Sequence, residues 1–225
     1  MKRTLLGLAA AGALTALCYR NYRNLYPKPE ALGDKQYEVE VRRLSVRSGV
    51  NTLFGELLLP REHSGPLPTI ICCHGINGSY RYFRAFAGMS LAMSGFAVYC
   101  FDFHGGSDRS RSGGRMTDMS VFTERDDLNA VIDTILNLDS TDRDKLFLLG
   151  ESQGGFVAGI TAAERGREIR GLIEYYPALC IPLDAQVRFD SVEDIPKVYT
   201  QVSCVLGREY AAGLLDYDVY KVLPD

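Results

Sequence analysis

Three continuous apolar stretches constrain this chain most: "PTIICCHG" (68–75), "GFAVYCFDF" (95–103) and "DKLFLLG" (144–150). Each is short, rich in β-branched, aromatic or leucine side chains, and bounded by turn residues, the pattern of strands buried on both faces of a parallel sheet. Between them lie segments of helical spacing. "SYRYFRAFAGMSLAMSG" gathers Tyr82, Phe83, Phe86, Met89, Leu91 and Met93 toward one side and closes at Gly95, and "VFTERDDLNAVIDTILNL" reads as an amphipathic helix from Val121 to Leu138. "GGFVAGITAAERG" then reads as a helix and "RGLIEYYPA" as a strand. Strand and helix therefore alternate from Pro68 to Ala178, which predicts an α/β fold: a mostly parallel sheet with helices on both faces.

Two further strands precede this series. "YEVEVRRLSVRSG" alternates apolar and polar residues from Tyr37, and "NTLFGELLLP" follows, so an antiparallel pair joined near Ser48-Gly49 is expected. From Leu179 to Asp225 the pattern is irregular, with short amphipathic pieces and no strong strand. At 225 residues with 25 Lys plus Arg against 28 Asp plus Glu, charges mixed, the chain suits one domain and offers no nucleic-acid-binding surface. The N-terminus departs from this average: Lys2 and Arg3 precede an apolar run from Leu5 to Tyr19, so residues 1–30 read as a signal or membrane-anchor segment and linker. The chain is accordingly expected to be exported or membrane-anchored, and residues 4–19 could associate with a membrane. Cys72, Cys73 and Cys100 sit inside apolar strands, and the six cysteines are read as free thiols.

Chemistry is expected at "LFLLGESQGGFVAGI" (146–160), where Gly150-Glu151-Ser152-Gln153-Gly154 fits G-x-S-x-G between a buried strand and a helix. That context specifies a nucleophile elbow. The glycines permit close approach of neighbouring chains around a strained serine, and the N–H of Gln153 at the helix start would face developing negative charge. At "CCHGING" a second buried strand ends, and the N–H of Ile76 could supply the other half of an oxyanion hole, with Gly75 allowing the turn. Ser152 is thus the candidate catalytic residue, with Ile76 and Gln153 as substrate-binding residues; no metal or organic cofactor is needed. Asp102 is expected to brace a neighbouring loop by accepting backbone N–H bonds.

The "HG" after a buried strand, "FDFHGGSDRSRSGG", "MTDMSVFTERDDLNAVIDTI" and "LFLLGESQGG" together resemble the α/β-hydrolase superfamily. Within it the chain is similar to the group of cinnamoyl and feruloyl esterases and serine aminopeptidase-like hydrolases, over about residues 37–225. The resemblance implies an α/β-hydrolase fold across 31–225, lacking its last strands, with the start of a cap insertion at about 179–225 after the sixth strand. It implies an acyl-enzyme on Ser152 and a small-molecule ester or acyl substrate. A peptidase or other acyl hydrolase of the same fold, and a non-catalytic binding protein, are the alternatives. One part is missing. A serine needs a general base, and in this fold histidine follows it in sequence; His63, His74 and His104 all precede Ser152. His74 and His104 are weak substitutes, Asp184 a weak candidate acid, and truncation of a longer hydrolase, with little or no activity in this chain, is the simplest account.

Overall fold

The computed structural model describes residues 28–223. Most of the expected signal or anchor segment, and Cys18, lie outside the described residues. Among the described residues no helix is long and apolar enough to cross a membrane.

Six strands form the main sheet: β1 (Val39–Ser48), β2 (Asn51–Pro60), β3 (Leu67–Cys73), β4 (Ala97–Phe101), β5 (Thr141–Glu151) and β6 (Gly171–Tyr175). Their order is β1-β2-β4-β3-β5-β6. β1 and β2 make the expected antiparallel hairpin, β2 pairs antiparallel with β4, and the other pairings are parallel. Period-2 alternation sends each strand's apolar residues to two separate cores. Leu57, Ile71, Cys73, Tyr99, Phe101 and Leu148 face one side, where α2 (Val121–Leu136) and α3 (Gln153–Arg165) pack. Leu58, Ile70, Cys72, Val98, Cys100 and Leu149 face the other, covered by α1 (80–93). Within α1 a π-helical stretch, Arg84–Gly88, separates two α turns, Tyr80–Phe83 and Met89–Met93. Helices on both faces of a mostly parallel sheet are what the alternating pattern demands. The five cysteines among the described residues are free thiols.

The last segment departs from its reading. Residues 179–223 contain α4 (Ile181–Arg188), a hairpin of β7 (Val198–Gln201) and β8 (Cys204–Gly207), and α5 (Arg208–Ala212). No hairpin was expected because its turn carries no Asn-Gly signal: Val202 and Ser203 take φ of 49° and 60°, a conformation that favours glycine or asparagine. The segment joins the α2/α3 core through Leu206, Tyr210 and Leu214, and Tyr217 packs edge-on against Phe122 at 5.2 Å.

Candidate active site

β3, β4 and β5 all end at one edge of the sheet, and the chemistry-bearing residues follow these ends, the usual ligand position in an open parallel sheet. β5 runs into Ser152, which adopts φ 53° and ψ −121° before α3 begins at Gln153. A non-glycine residue there is strained by roughly 1 to 3 kcal/mol. Neighbouring backbone enforces it: Ser152 N–H donates to the Tyr175 carbonyl (3.2 Å), and the Ser152 carbonyl accepts from Ala178 N–H (2.9 Å) as well as from Gly155 and Phe156. The flanking glycines are required by contact. A Cβ on Gly150 would come within 2.6 Å of the Gly154 carbonyl, and one on Gly154 would overlap the carbonyl oxygens of Cys73 and His74.

The turn after β3 lies directly against the serine. A Cβ on Gly75 would stand 3.1 Å from Ser152 Cβ and 3.6 Å from its Oγ. Ile76 follows in that turn, and Gln153 occupies the first position of α3, whose N–H has no carbonyl within the helix to bond. Gly75 is thus set against Ser152, with Ile76 and Gln153 each next in sequence to one of the pair. A cleft of about 460 Å³ next to this junction is lined by Gly75, Ile76, Tyr82 and Glu151 among others. None of the residues lining it comes from 179–223.

The histidines are not brought to the serine. His74 is buried and both ring nitrogens are used: Nε2 accepts from Phe103 N–H (3.2 Å), which leaves Nδ1 protonated to donate to the Gly75 carbonyl (2.8 Å). Burial lowers its pKa below the usual imidazole range, which keeps the ring neutral in that tautomer. His74 thus ties the turn after β3 to the loop after β4. His104 follows β4, donates its backbone N–H to Asp127 Oδ2 (2.9 Å), and its ring lies against Gly114. His63 precedes β3, at the opposite end of the strand from His74, with Nδ1 2.8 Å from the Gly65 carbonyl. Among the described residues no side chain hydrogen-bonds Ser152 Oγ. Asp184 is exposed on the first turn of α4, beside Cys180 Sγ at 3.5 Å. Asp102 does brace loops, accepting from Tyr80 N–H (2.7 Å) and Arg111 N–H (2.8 Å).

Behind the elbow lies a buried polar chain that the sequence reading missed. Glu124 Oε2 accepts from Gln153 Nε2 (2.8 Å), and the Gln153 Oε1 accepts from the Tyr210 hydroxyl (2.7 Å). Glu124 Oε1 has no partner, and burial pushes the carboxyl up to about 8. The signal was present: Glu124 stands on the apolar stripe of α2, between Val121 and Leu128, where a carboxylate demands a partner.

A strained strand–serine–helix turn at the carboxyl edge of a mostly parallel, helix-covered sheet defines an α/β-hydrolase. The chain belongs, within that class, to the serine aminopeptidase (S33) family, whose profile matches residues 65–209. It is a hydrolase by family and fold. Among solved structures it is similar to Est1E from Butyrivibrio proteoclasticus with ferulic acid bound: TM-score 0.68 and 22% identity, covering 80% of this chain and 73% of that one. It is also similar to DcsB in complex with its substrate analogue (TM-score 0.56, 22% identity, 66% and 51% covered). The α/β-hydrolase GrgF from Penicillium sp. sh18 shares the fold at TM-score 0.53 and 17% identity, with 67% and 50% covered. No curated protein matches the sequence.

Proposed function

We propose that this chain is a serine hydrolase of carboxylic esters, with Ser152 as nucleophile and the N–H groups of Ile76 and Gln153 as the oxyanion hole. The observation that carries the reading is the backbone of Ser152, φ 53° and ψ −121°, held against Gly75. Such strain recurs where a side chain must be presented for chemistry. Ser152 Oγ attacks the ester carbonyl and loses its proton to solvent, and the carbonyl oxygen takes negative charge facing the two N–H groups and the α3 N-terminus. Collapse expels the alkoxide, which takes a proton from solvent to become the alcohol, and leaves an acyl-enzyme. Each donor is worth about 3 to 4 kcal/mol of transition-state stabilisation. His74 is committed to two backbone partners and neither His63 nor His104 hydrogen-bonds the serine, so acylation of Ser152 in this chain proceeds without a histidine base. We further propose export or membrane anchoring through residues 4–19, on their apolar composition.

The test is peptide mapping of the 225-residue chain after incubation with p-nitrophenyl acetate. With the oxyanion groups present and no base to speed deacylation, acetyl should accumulate on Ser152 and be absent from Ser152→Ala, with slow turnover. Acetylation confined to the exposed thiol of Cys180 overturns the assignment of Ser152. Rapid multiple turnover that is lost in Ser152→Ala overturns the missing-base reading. The family match favours a second reading, an aminopeptidase using the same groups on an amide. Acylation of Ser152 by an aminoacyl anilide but not by the ester would select it.

A further inference from the structure

Three arginines, Arg81, Arg109 and Arg111, line the cleft beside Ser152, whereas Glu151 is its single acidic lining residue. This excess is unexpected in a chain of net charge −3. It is also unpaired: among the described residues none of the three forms a salt bridge, although Arg84 of the same helix pairs with Glu56 at 2.8 Å. Instead, two guanidinium groups converge on one neutral acceptor. Arg81 Nε lies 3.2 Å and Arg111 Nη1 3.4 Å from the Tyr80 hydroxyl. Two like charges at one hydroxyl repel, and the arrangement is stabilised when an anion sits between them.

The fold holds them there. Asp102 is wholly buried and spends its two carboxylate oxygens on the N–H groups of Tyr80 and Arg111, which locks the start of α1 against the loop after β4. The Arg111 guanidinium also stacks 3.7 Å from the centroid of Phe54. Arg81 and Arg111 are thus carried on braced backbone at the lining of the cleft. Glu151, the one opposing charge, accepts from the Tyr176 hydroxyl at 3.0 Å.

We propose that this cleft takes an acyl ester bearing an oxyanion, a carboxylate or phosphate, held by Arg81, Arg109 and Arg111 while its ester reaches Ser152. A guanidinium fork matches a planar carboxylate or a phosphate in geometry as well as charge. The proposal rests on the hydrolase reading for the position of the ester, and its test separates the two. p-Acetoxybenzoate and p-acetoxybenzamide have the same shape and differ in charge. Calorimetric titration of each into the Ser152→Ala chain at low ionic strength should show the benzoate binding at least about fivefold tighter. The preference should shrink toward unity at about 0.5 M salt and in Arg109→Ala and Arg81→Ala, whose exposed side chains do not hold the fold. Titration with phenyl phosphate distinguishes the two anion sources by which binds tighter. Equal or weaker binding of the benzoate, no measurable binding by either anion, or a preference untouched by both arginine variants overturns the proposal. If the preference is found but Ser152 is never acylated, the anion site stands and the hydrolase reading falls. Acylation by p-acetoxybenzamide without any anion preference gives the reverse.

Discussion

Glu124 couples proton binding to the elbow. Its carboxyl carries a folded-state value of about 8 because burial disfavours the charge, against an ordinary carboxylate value of 4.5. The folded state therefore holds a proton that the unfolded chain releases above the ordinary value. Stability from this group is full below the ordinary value and falls as pH rises toward about 8. Glu124→Gln keeps an acceptor for Gln153 Nε2 and cannot ionise. The variant should gain on the wild type by roughly 2 to 3 kcal/mol between about pH 6 and pH 9, read from urea unfolding of both chains across that range. Parallel stability profiles would show that Glu124 is not the buried acid it looks to be. Because Gln153 also joins Tyr210, the change is transmitted to both the elbow and the segment after β6.

Among elements, the decisive contact is the end of β3 against the start of α3. Gly154 meets the backbone carbonyls of Cys73 and His74, which cannot move without breaking β3, whereas Gly75 meets Ser152 itself. Gly154→Ala should therefore cost several kcal/mol in urea unfolding, as overpacking against fixed backbone does. Gly75→Ala, whose Cβ would stand 3.3 Å from the Glu151 carbonyl, should change stability by about 1 kcal/mol or less while lowering Ser152 acylation at least about tenfold. Stability losses of equal size in the two would mean that Gly75 serves packing alone. This junction was legible in the sequence, since buried strands announce themselves by continuous apolar runs and the elbow by its glycines. Two features were not. The β7–β8 hairpin turns through Val202 and Ser203 at positive φ, held by packing of Tyr199 and Leu206 rather than by turn propensity. The arginine cleft assembles from residues 81, 109 and 111, whose two chain segments the buried Asp102 joins by binding the N–H groups of Tyr80 and Arg111.

At the scale of the molecule, the two edges of the main sheet differ. β1 is an edge strand protected by charge: Glu40, Arg42, Arg43 and Arg47 stud it, and Glu40 pairs with Arg42 at 2.9 Å. β6 is the opposite edge and carries Leu172, Ile173 and Tyr175, exposed at 38%, 47% and 45%. Its one carboxyl, Glu174, has its pKa raised by burial and leaves Oε1 unpartnered. An apolar strand with an open hydrogen-bonding edge is a template for pairing with another chain. The described fold should therefore self-associate through β6. Ile173→Lys places a charge on that edge without emptying a core site, so its stability should stay within about 0.5 kcal/mol of wild type. Sedimentation velocity over a tenfold range of concentration should show association in the wild type, its loss in Ile173→Lys, and its persistence in Val41→Lys on the protected edge. Association that survives Ile173→Lys would place the contact elsewhere, and a wild type that stays monomeric throughout would mean that the exposed β6 side chains and their backbone are too twisted or too short to pair.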